Sequence, residues 1–234
     1  MRVLGRELVD PFDSFWETLG PEVPVAGEQI EEGGSAVFGD QGADVTAPKK
    51  PSWASLPDDD LAYHAAHELA HIVLLGRGFP RTSRGTRYPP GSAEAMIGGD
   101  LEEMVIHPAL HKLIEPFGFR WEFIQRRMCE GAVNGLRSSS APAPGTPWSF
   151  TWAVRYCELR IELPDERWNL LRDAYRERSR WVCELGEELL AIMRDVGWGT
   201  REQALEAMVR SRDALGMGIE DRVLVVDGLS GAVT

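Results

Sequence analysis

Residues 61–75 constrain the fold of this chain more than any other part of its sequence. Around a helix, at 100° per residue, their apolar side chains point in nearly every direction. The polar exceptions, His64, His67, Glu68 and His71, fall within one arc of roughly 100°. A helix that is apolar nearly all round is buried, and the acidic residues at positions 58–60 suit its positive N-terminal end. The pattern therefore predicts a buried helix over about residues 59–75 with a single polar stripe.

The spacing within this stripe predicts a metal site. His67 and His71 lie one turn apart on the same face, so both imidazoles can reach one zinc ion at about 2.0–2.1 Å. Glu68 lies next to that face, where its carboxylate can hold a water at the metal instead of binding the metal itself. Because burying these groups without partners is costly, a bound ion would remove that cost. The alternative is an ordinary helix whose histidines are satisfied by neighbouring protein groups.

A third ligand is expected on the next helix, predicted over about residues 92–106, because a catalytic zinc usually takes three protein ligands. Asp100, Glu103 and His107 line one flank of its packing face, and Glu102 lies on the other flank. A ligand must sit at the edge of a helix–helix contact, so we predict Glu103 and hold Glu102 in reserve, with Asp100 and His107 as further alternatives. Solvated surface charges are the competing interpretation. His107 could also orient a ligand, polarise a substrate carbonyl, or simply end the helix.

The motif His67-Glu68-x-x-His71, followed by an acid on the next helix, resembles the zincin metallopeptidases. It is more similar to the gluzincins, which use glutamate as third ligand, because the glycine and histidine of the metzincin extension do not follow His71. Among small cytoplasmic forms it is most similar to the ImmA/IrrE-type peptidase domain, over roughly residues 35–115. The resemblance implies that His67 and His71 are zinc ligands, that Glu68 is the general base and that Glu103 is the third ligand.

The expected fold class is α+β and mostly helical: a zincin-like core with a small N-terminal β-sheet packed on the active-site helix, followed by a helical C-terminal half. We place a zincin-like metallopeptidase domain at residues 1–136 and a helical region, packed on it or forming a subdomain, at 148–234. The resemblance implies that a strand before the active-site helix pairs with extended substrate. The other predicted elements are a hairpin (35–39 and 43–46, turning at 40–42), a loop (76–92), a kink or restart at Pro108, helices (121–136, 164–195 and 201–215) and a terminal strand (223–226). For residues 148–162 the pattern does not decide the type of element.

The predicted function is zinc-dependent hydrolysis of a peptide bond in a peptide or protein substrate, with a metal-activated water and Glu68 as general base. Tyr88, His107 and His111 are alternative donors to the developing oxyanion. The competing hypothesis is a catalytically silent zincin scaffold that binds a protein partner and holds a structural or sensory zinc. A third hypothesis, a DNA-linked regulator using the last helix, is opposed by the acidic balance of the chain.

The charge and composition of the chain limit the classes of partner that we expect it to bind. The chain has 37 acidic and 25 basic residues, and a net charge of −12 repels phosphate backbones and anionic lipid, so we expect no nucleic-acid or membrane partner. The longest apolar runs fall short of the ~20 residues of a spanning helix. Cys129, Cys157 and Cys183 form no C-x-x-C pair and are expected as reduced, buried thiols. The N-terminus shows no secretory signal, which makes the cytoplasm the expected location. The oligomeric state is left open.

Overall fold

The computed structural model describes residues 2–3, 6–23, 35–38, 43–46 and 55–234, and within these the chain is mostly helical with small antiparallel sheets. The helices are α1 (Phe12–Leu19), α2 (Asp58–Gly76), α3 (Ala93–Ile114), α4 (Trp121–Ser138), α5 (Pro147–Glu162), α6 (Asp165–Arg178), α7 (Arg180–Val196) and α8 (Arg201–Ala214). The strands are β1 (Arg2–Val3), β2 (Arg6–Glu7), β3 (Ser35–Phe38), β4 (Ala43–Thr46), β5 (Arg81–Arg84) and β6 (Val223–Val226). The predicted class, α+β and mostly helical, is confirmed.

The strands pair as three antiparallel two-stranded sheets, β1 with β2, β3 with β4 and β5 with β6. The predicted hairpin is confirmed in its two strands, with Ser35 opposite Thr46, while its turn at 40–42 lies outside the described residues. The predicted strand at 223–226 is also confirmed. The prediction of a plain loop over 76–92 is wrong, because its residues 81–84 form β5 against β6. Because that pairing joins segments far apart in sequence, no local pattern predicts it.

Helix α2 confirms the buried helix that the apolar pattern predicts. It begins after Pro57, and three aspartates occupy its first turn, where the partial positive charge of the helix end favours them. Leu61, Leu69 and Ala70 are fully buried, as a helix with apolar side chains nearly all round requires. The histidines of its stripe are half-buried.

Two helical predictions need correction. Helix α3 continues through Pro108 to Ile114, although proline removes one hydrogen bond, because Met104 and Leu110 on either side are fully buried. The single long helix predicted over 164–195 is two helices, α6 and α7. Ser179 between them is extended (φ −156°, ψ 105°) and its hydroxyl accepts a hydrogen bond from the backbone N–H of Val182, which caps α7.

Of the remaining helices, some were predicted from the sequence and others were not. Helices α4 and α8 are confirmed, and Thr200 forms a capping box with Gln203 at the start of α8. The open segment 148–162 belongs to helix α5. Helix α1 was not among the elements predicted from the sequence.

The chain divides into two compact units that are interleaved in sequence. The first unit comprises Met1–Arg77 and Leu110–Arg120, and the second comprises Gly78–Ala109 and Trp121–Thr234. Helix α3 therefore contributes its last turn to the first unit and the rest to the second. The division into a metallopeptidase domain (1–136) and a helical region (148–234) stays a prediction.

The core of the first unit is built by α1, α2 and the segment that follows α3. Phe15 is fully buried, and its ring centroid lies 5.4 Å from that of Phe117 and 6.0 Å from that of Phe119, both edge-on. Arg77, just after α2, donates two hydrogen bonds to the Glu22 carboxylate, at 2.8 and 2.7 Å. This bidentate pair ties the end of α2 to the segment after α1.

The core of the second unit is a helical bundle in which α5 packs closely along α7. Tyr156 of α5 is buried, and its ring lies edge-on to Trp168 (4.7 Å between centroids) and Tyr175 (5.2 Å). Gly186 of α7 lies against the Tyr156 ring, and a Cβ at this position would overlap the ring. The close approach of the two helices therefore requires glycine there.

Two smaller expectations concern the chain as a whole. All three cysteines are buried free thiols, as predicted. Among the described residues, the longest apolar helices are too short or too polar to cross a membrane.

Candidate metal centre

The polar stripe of α2 brings two imidazole nitrogens together in the first unit. Nε2 of His71 lies 3.2 Å from Nε2 of His67, and the two ring centroids are 4.9 Å apart with the rings nearly perpendicular. This arrangement follows from the i,i+4 spacing, which stacks the two side chains on one face of the helix.

The distance between these nitrogens fits two ligands of a single zinc ion. Two donors at about 2.0–2.1 Å from a tetrahedral centre lie about 3.3–3.4 Å apart. The 3.2 Å separation of the His67 and His71 nitrogens is close to that value. A hydrogen bond between neutral imidazoles would give a similar distance, so metal content is the measurement that separates the two arrangements.

Tyr63 fixes the other side of the His67 ring. Its hydroxyl lies 3.4 Å from Nδ1 of His67 and 3.5 Å from Nε2 of His111, which comes from the last turn of α3. The Tyr63 side chain is buried and belongs to the same helix as His67, one turn earlier. Metal-binding histidines usually hold their second ring nitrogen in a hydrogen bond, which sets the tautomer and the ring orientation. Tyr63 supplies such a group to His67.

Glu68 is half-buried on α2, directly after His67. Its position one residue along the helix turns it by 100° from His67, so it borders the histidine pair instead of forming part of it. Helical geometry thus puts Glu68 on the border of the face that carries the histidine pair, and its role as general base stays a prediction.

In the second unit, His107 of α3 lies among three carboxylates. Its Nε2 contacts the Glu103 carboxylate one turn earlier on the same helix. Its Nδ1 lies 3.0 Å from Oε1 of Glu158 and 3.3 Å from Oε1 of Glu162, both on α5. Arg155 pairs with the second oxygen of Glu158. Both ring nitrogens of His107 therefore face acidic groups.

Burial and charge act in opposite directions on this cluster. Burial alone lowers the pKa of His107, but hydrogen bonds to Glu103, Glu158 and Glu162 outweigh it and raise that pKa well above its usual value. Burial raises the pKa of the Glu162 carboxyl, and the hydrogen bond from His107 does not offset this. Burial also acts on Glu158, yet His107 and Arg155 together lower the pKa of its carboxyl.

The two glutamates proposed as alternatives for the third ligand are used differently. Oε2 of Glu102 accepts hydrogen bonds from the backbone N–H of Thr82 (2.6 Å) and from its hydroxyl (3.1 Å). These bonds tie α3 to strand β5 within the second unit. Glu103 lies on the flank that carries His107, as the helical periodicity predicts. As a metal ligand, each remains a prediction, as do Asp100 and His107.

The structure pairs His67 with His71 in the first unit and Glu103 with His107 in the second. Tyr63, Glu158 and Glu162 were not predicted from the sequence as site residues. The signals were a tyrosine four residues before His67 and two acids four residues apart within an apolar run. Such acids on a buried helix face need a compensating partner, here His107 and Arg155.

The chain was also compared with known proteins. Neither the protein families, nor the curated proteins, nor the solved structures contain a match to it. Any statement about function must therefore rest on the site itself.

Proposed function

We propose that this protein is a zinc-dependent peptidase of zincin-like, gluzincin type, with a peptide or protein as substrate. The observation that carries the proposal is the 3.2 Å separation of the His67 and His71 Nε2 atoms on a buried helix that carries Glu68 directly after His67. The donor set of two imidazole nitrogens suits zinc. The i,i+4 histidines with an intervening glutamate are the arrangement that metal-assisted peptide hydrolysis uses.

Each residue has a role in the proposed reaction. His67 and His71 hold the metal, and Tyr63 orients His67 through Nδ1. A bound zinc ion supplies a Lewis acid that polarises the scissile carbonyl and lowers the pKa of water to about 7. Glu68 accepts the proton of the attacking water on a carboxylate oxygen and passes it to the leaving amine nitrogen.

The third ligand is proposed to be Glu103, with Glu102, Asp100 and His107 as alternatives. Glu103, His107 and His111 recur every fourth residue on α3 and so form one stripe on that helix. Because the Glu102 carboxylate is held by Thr82, Glu103→Ala is expected to lower zinc content more than Glu102→Ala does. Equal retention of zinc by both variants would remove α3 glutamates from the ligand set.

The test of the whole proposal combines zinc content with peptide hydrolysis. Protein purified without chelator is expected to hold zinc at the α2 histidines and to cleave unstructured peptides. Glu68→Gln is expected to keep the zinc and the fold while lowering the hydrolysis rate by ~10²–10⁴-fold or more. An active Glu68→Gln protein would contradict the mechanism. A zinc-loaded wild-type protein without any hydrolysis would instead support the silent zincin scaffold that binds a protein partner.

The cellular setting belongs to the proposal as well. We place the enzyme in the cytoplasm, without nucleic-acid or membrane partners, because a net charge of −12 repels phosphates. Its buried free thiols suit a reducing compartment.

A further inference from the structure

The interior of the second unit contains a second group of metal-binding side chains. His107 of α3 and Glu158 and Glu162 of α5 each offer one donor atom, and these three atoms lie within 4.8 Å of one another. The side chains of Glu158 and Glu162 are 4% and 1% exposed, so solvent does not screen their charges. Surface acids cluster often without binding anything, whereas two carboxylates buried next to one imidazole present their donor atoms in a fixed arrangement.

The cluster gathers carboxylates around one imidazole. The His107 ring contacts the carboxylates of Glu103, Glu158 and Glu162, and Arg155 pairs with Glu158. A divalent cation held by the imidazole and the two buried carboxylates would neutralise the negative charge of both glutamates.

The distances fit coordination. Neighbouring donors at about 2.1 Å from one ion lie about 3.0 Å apart in octahedral and about 3.4 Å apart in tetrahedral geometry. Nδ1 of His107 lies 3.0 Å from the Glu158 oxygen and 3.3 Å from the Glu162 oxygen. On the other side of the ring, Nε2 contacts the Glu103 carboxylate. A metal-binding histidine usually donates its second N–H to such a carboxylate.

We propose that His107, Glu158 and Glu162 form a second divalent-cation site, with Glu103 fixing the tautomer of His107. One imidazole nitrogen and two carboxylate oxygens favour Mn²⁺ or Fe²⁺. The three side chains lie wholly within the second unit. Because Glu103 is the proposed third zinc ligand and His107 is one of its alternatives, the test measures Mn²⁺ and zinc separately.

The test is a titration of the metal-stripped full chain with Mn²⁺. Binding is measured as the loss of the electron paramagnetic resonance signal of free Mn²⁺. It is run in the wild-type protein and in His71→Ala, which disables the α2 pair. Both are expected to bind about one Mn²⁺ per chain at this site. Glu162→Gln is expected to weaken that binding by at least ~10–100-fold while zinc at His67 and His71 is retained.

The matched control is Glu187→Gln on α7, which removes one negative charge from the same unit. In the wild-type protein the Glu187 carboxylate accepts a hydrogen bond from the Tyr156 hydroxyl. It is expected to leave Mn²⁺ affinity unchanged. Circular dichroism checks the fold of each variant, and Glu158→Gln replaces Glu162→Gln if the latter is unfolded. Absence of Mn²⁺ binding to His71→Ala, or equal affinity in Glu162→Gln and Glu187→Gln, would overturn the site.

Discussion

The histidines of the first unit and the histidine of the second differ in what faces their ring nitrogens. On α2, Nε2 of His67 faces another imidazole and its Nδ1 faces the Tyr63 hydroxyl. In the second unit, both nitrogens of His107 face carboxylates. The first arrangement arises within one helix, whereas the second needs α3 and α5 to pack together. Neutral nitrogen donors and charged oxygen donors select different ions, so the comparison predicts two sites with different chemistry.

The largest effect is expected when one histidine of the α2 pair is removed. His71→Ala removes one of the two paired nitrogens and should abolish zinc binding in the first unit, because one remaining imidazole cannot hold the ion. His64→Ala, on the same helix, is the matched control and should keep the zinc. Elemental analysis of both purified variants gives the answer, and equal zinc in the two proteins would break the comparison.

The next effect concerns the packing that positions the second cluster. Gly186→Ala introduces a Cβ that overlaps the buried Tyr156 ring on α5, the helix that carries Glu158 and Glu162. It should lower the free energy of unfolding by about 1–3 kcal/mol and weaken Mn²⁺ binding without affecting zinc on α2. Gly131→Ala on α4 meets no atom within 4 Å and should stabilise the protein by up to about 1 kcal/mol. Urea unfolding of both variants tests this contrast, which fails if they shift in the same direction.

A smaller effect is expected from the group that orients His67. Tyr63→Phe keeps the buried ring but removes the hydroxyl that lies 3.4 Å from Nδ1 of His67. Zinc affinity should fall by ~10–100-fold with little change in stability. Competition with a chromophoric chelator measures the affinity, and Tyr88→Phe in the second unit serves as the control. An unchanged affinity would mean that Tyr63 does not orient the ligand.

The smallest effects are two pH dependences of opposite sign, one in each unit. The hydrogen bonds from Arg77 lower the pKa of Glu22 below its ordinary 4.5, so this pair adds stability above pH 4.5 that is lost as the pH falls through the lowered pKa. Both side chains are 41% exposed, and the contribution should stay below about 1 kcal/mol. Burial raises the pKa of Glu102, so its contribution is present below pH 4.5 and lost as the pH rises through the raised pKa.

Unfolding free energies of Glu22→Gln and Glu102→Gln, measured from pH 3 to pH 7, test these signs. Relative to the wild-type protein, Glu22→Gln should lose stability at pH 7 but not at pH 3. For Glu102→Gln, the loss should be smaller at pH 7 than at pH 3, because ionised Glu102 is the unfavourable form. Parallel curves for the two variants would contradict the opposite shifts.

The features that could be predicted from the sequence are those that depend on local patterns. Helix α2 and the His67–His71 pair follow from apolar periodicity and i,i+4 spacing, both of which act within one helix. The helix break at Ser179 was missed because the charged and apolar pattern continues across it, although the serine cap is itself a local signal. Strand β5 was missed for a different reason, since its partner β6 lies far along the chain.

By itself, the sequence determined a buried helix with one polar stripe and the pairing of two histidines on it, because helical geometry fixes the positions of residues three and four apart. Only the tertiary structure decided which acids surround His107 and that Glu102 bonds to Thr82. It also decided how closely α5 approaches α7 at Gly186. These contacts join segments distant in sequence, and the packing that brings them together has no periodic signature along the chain.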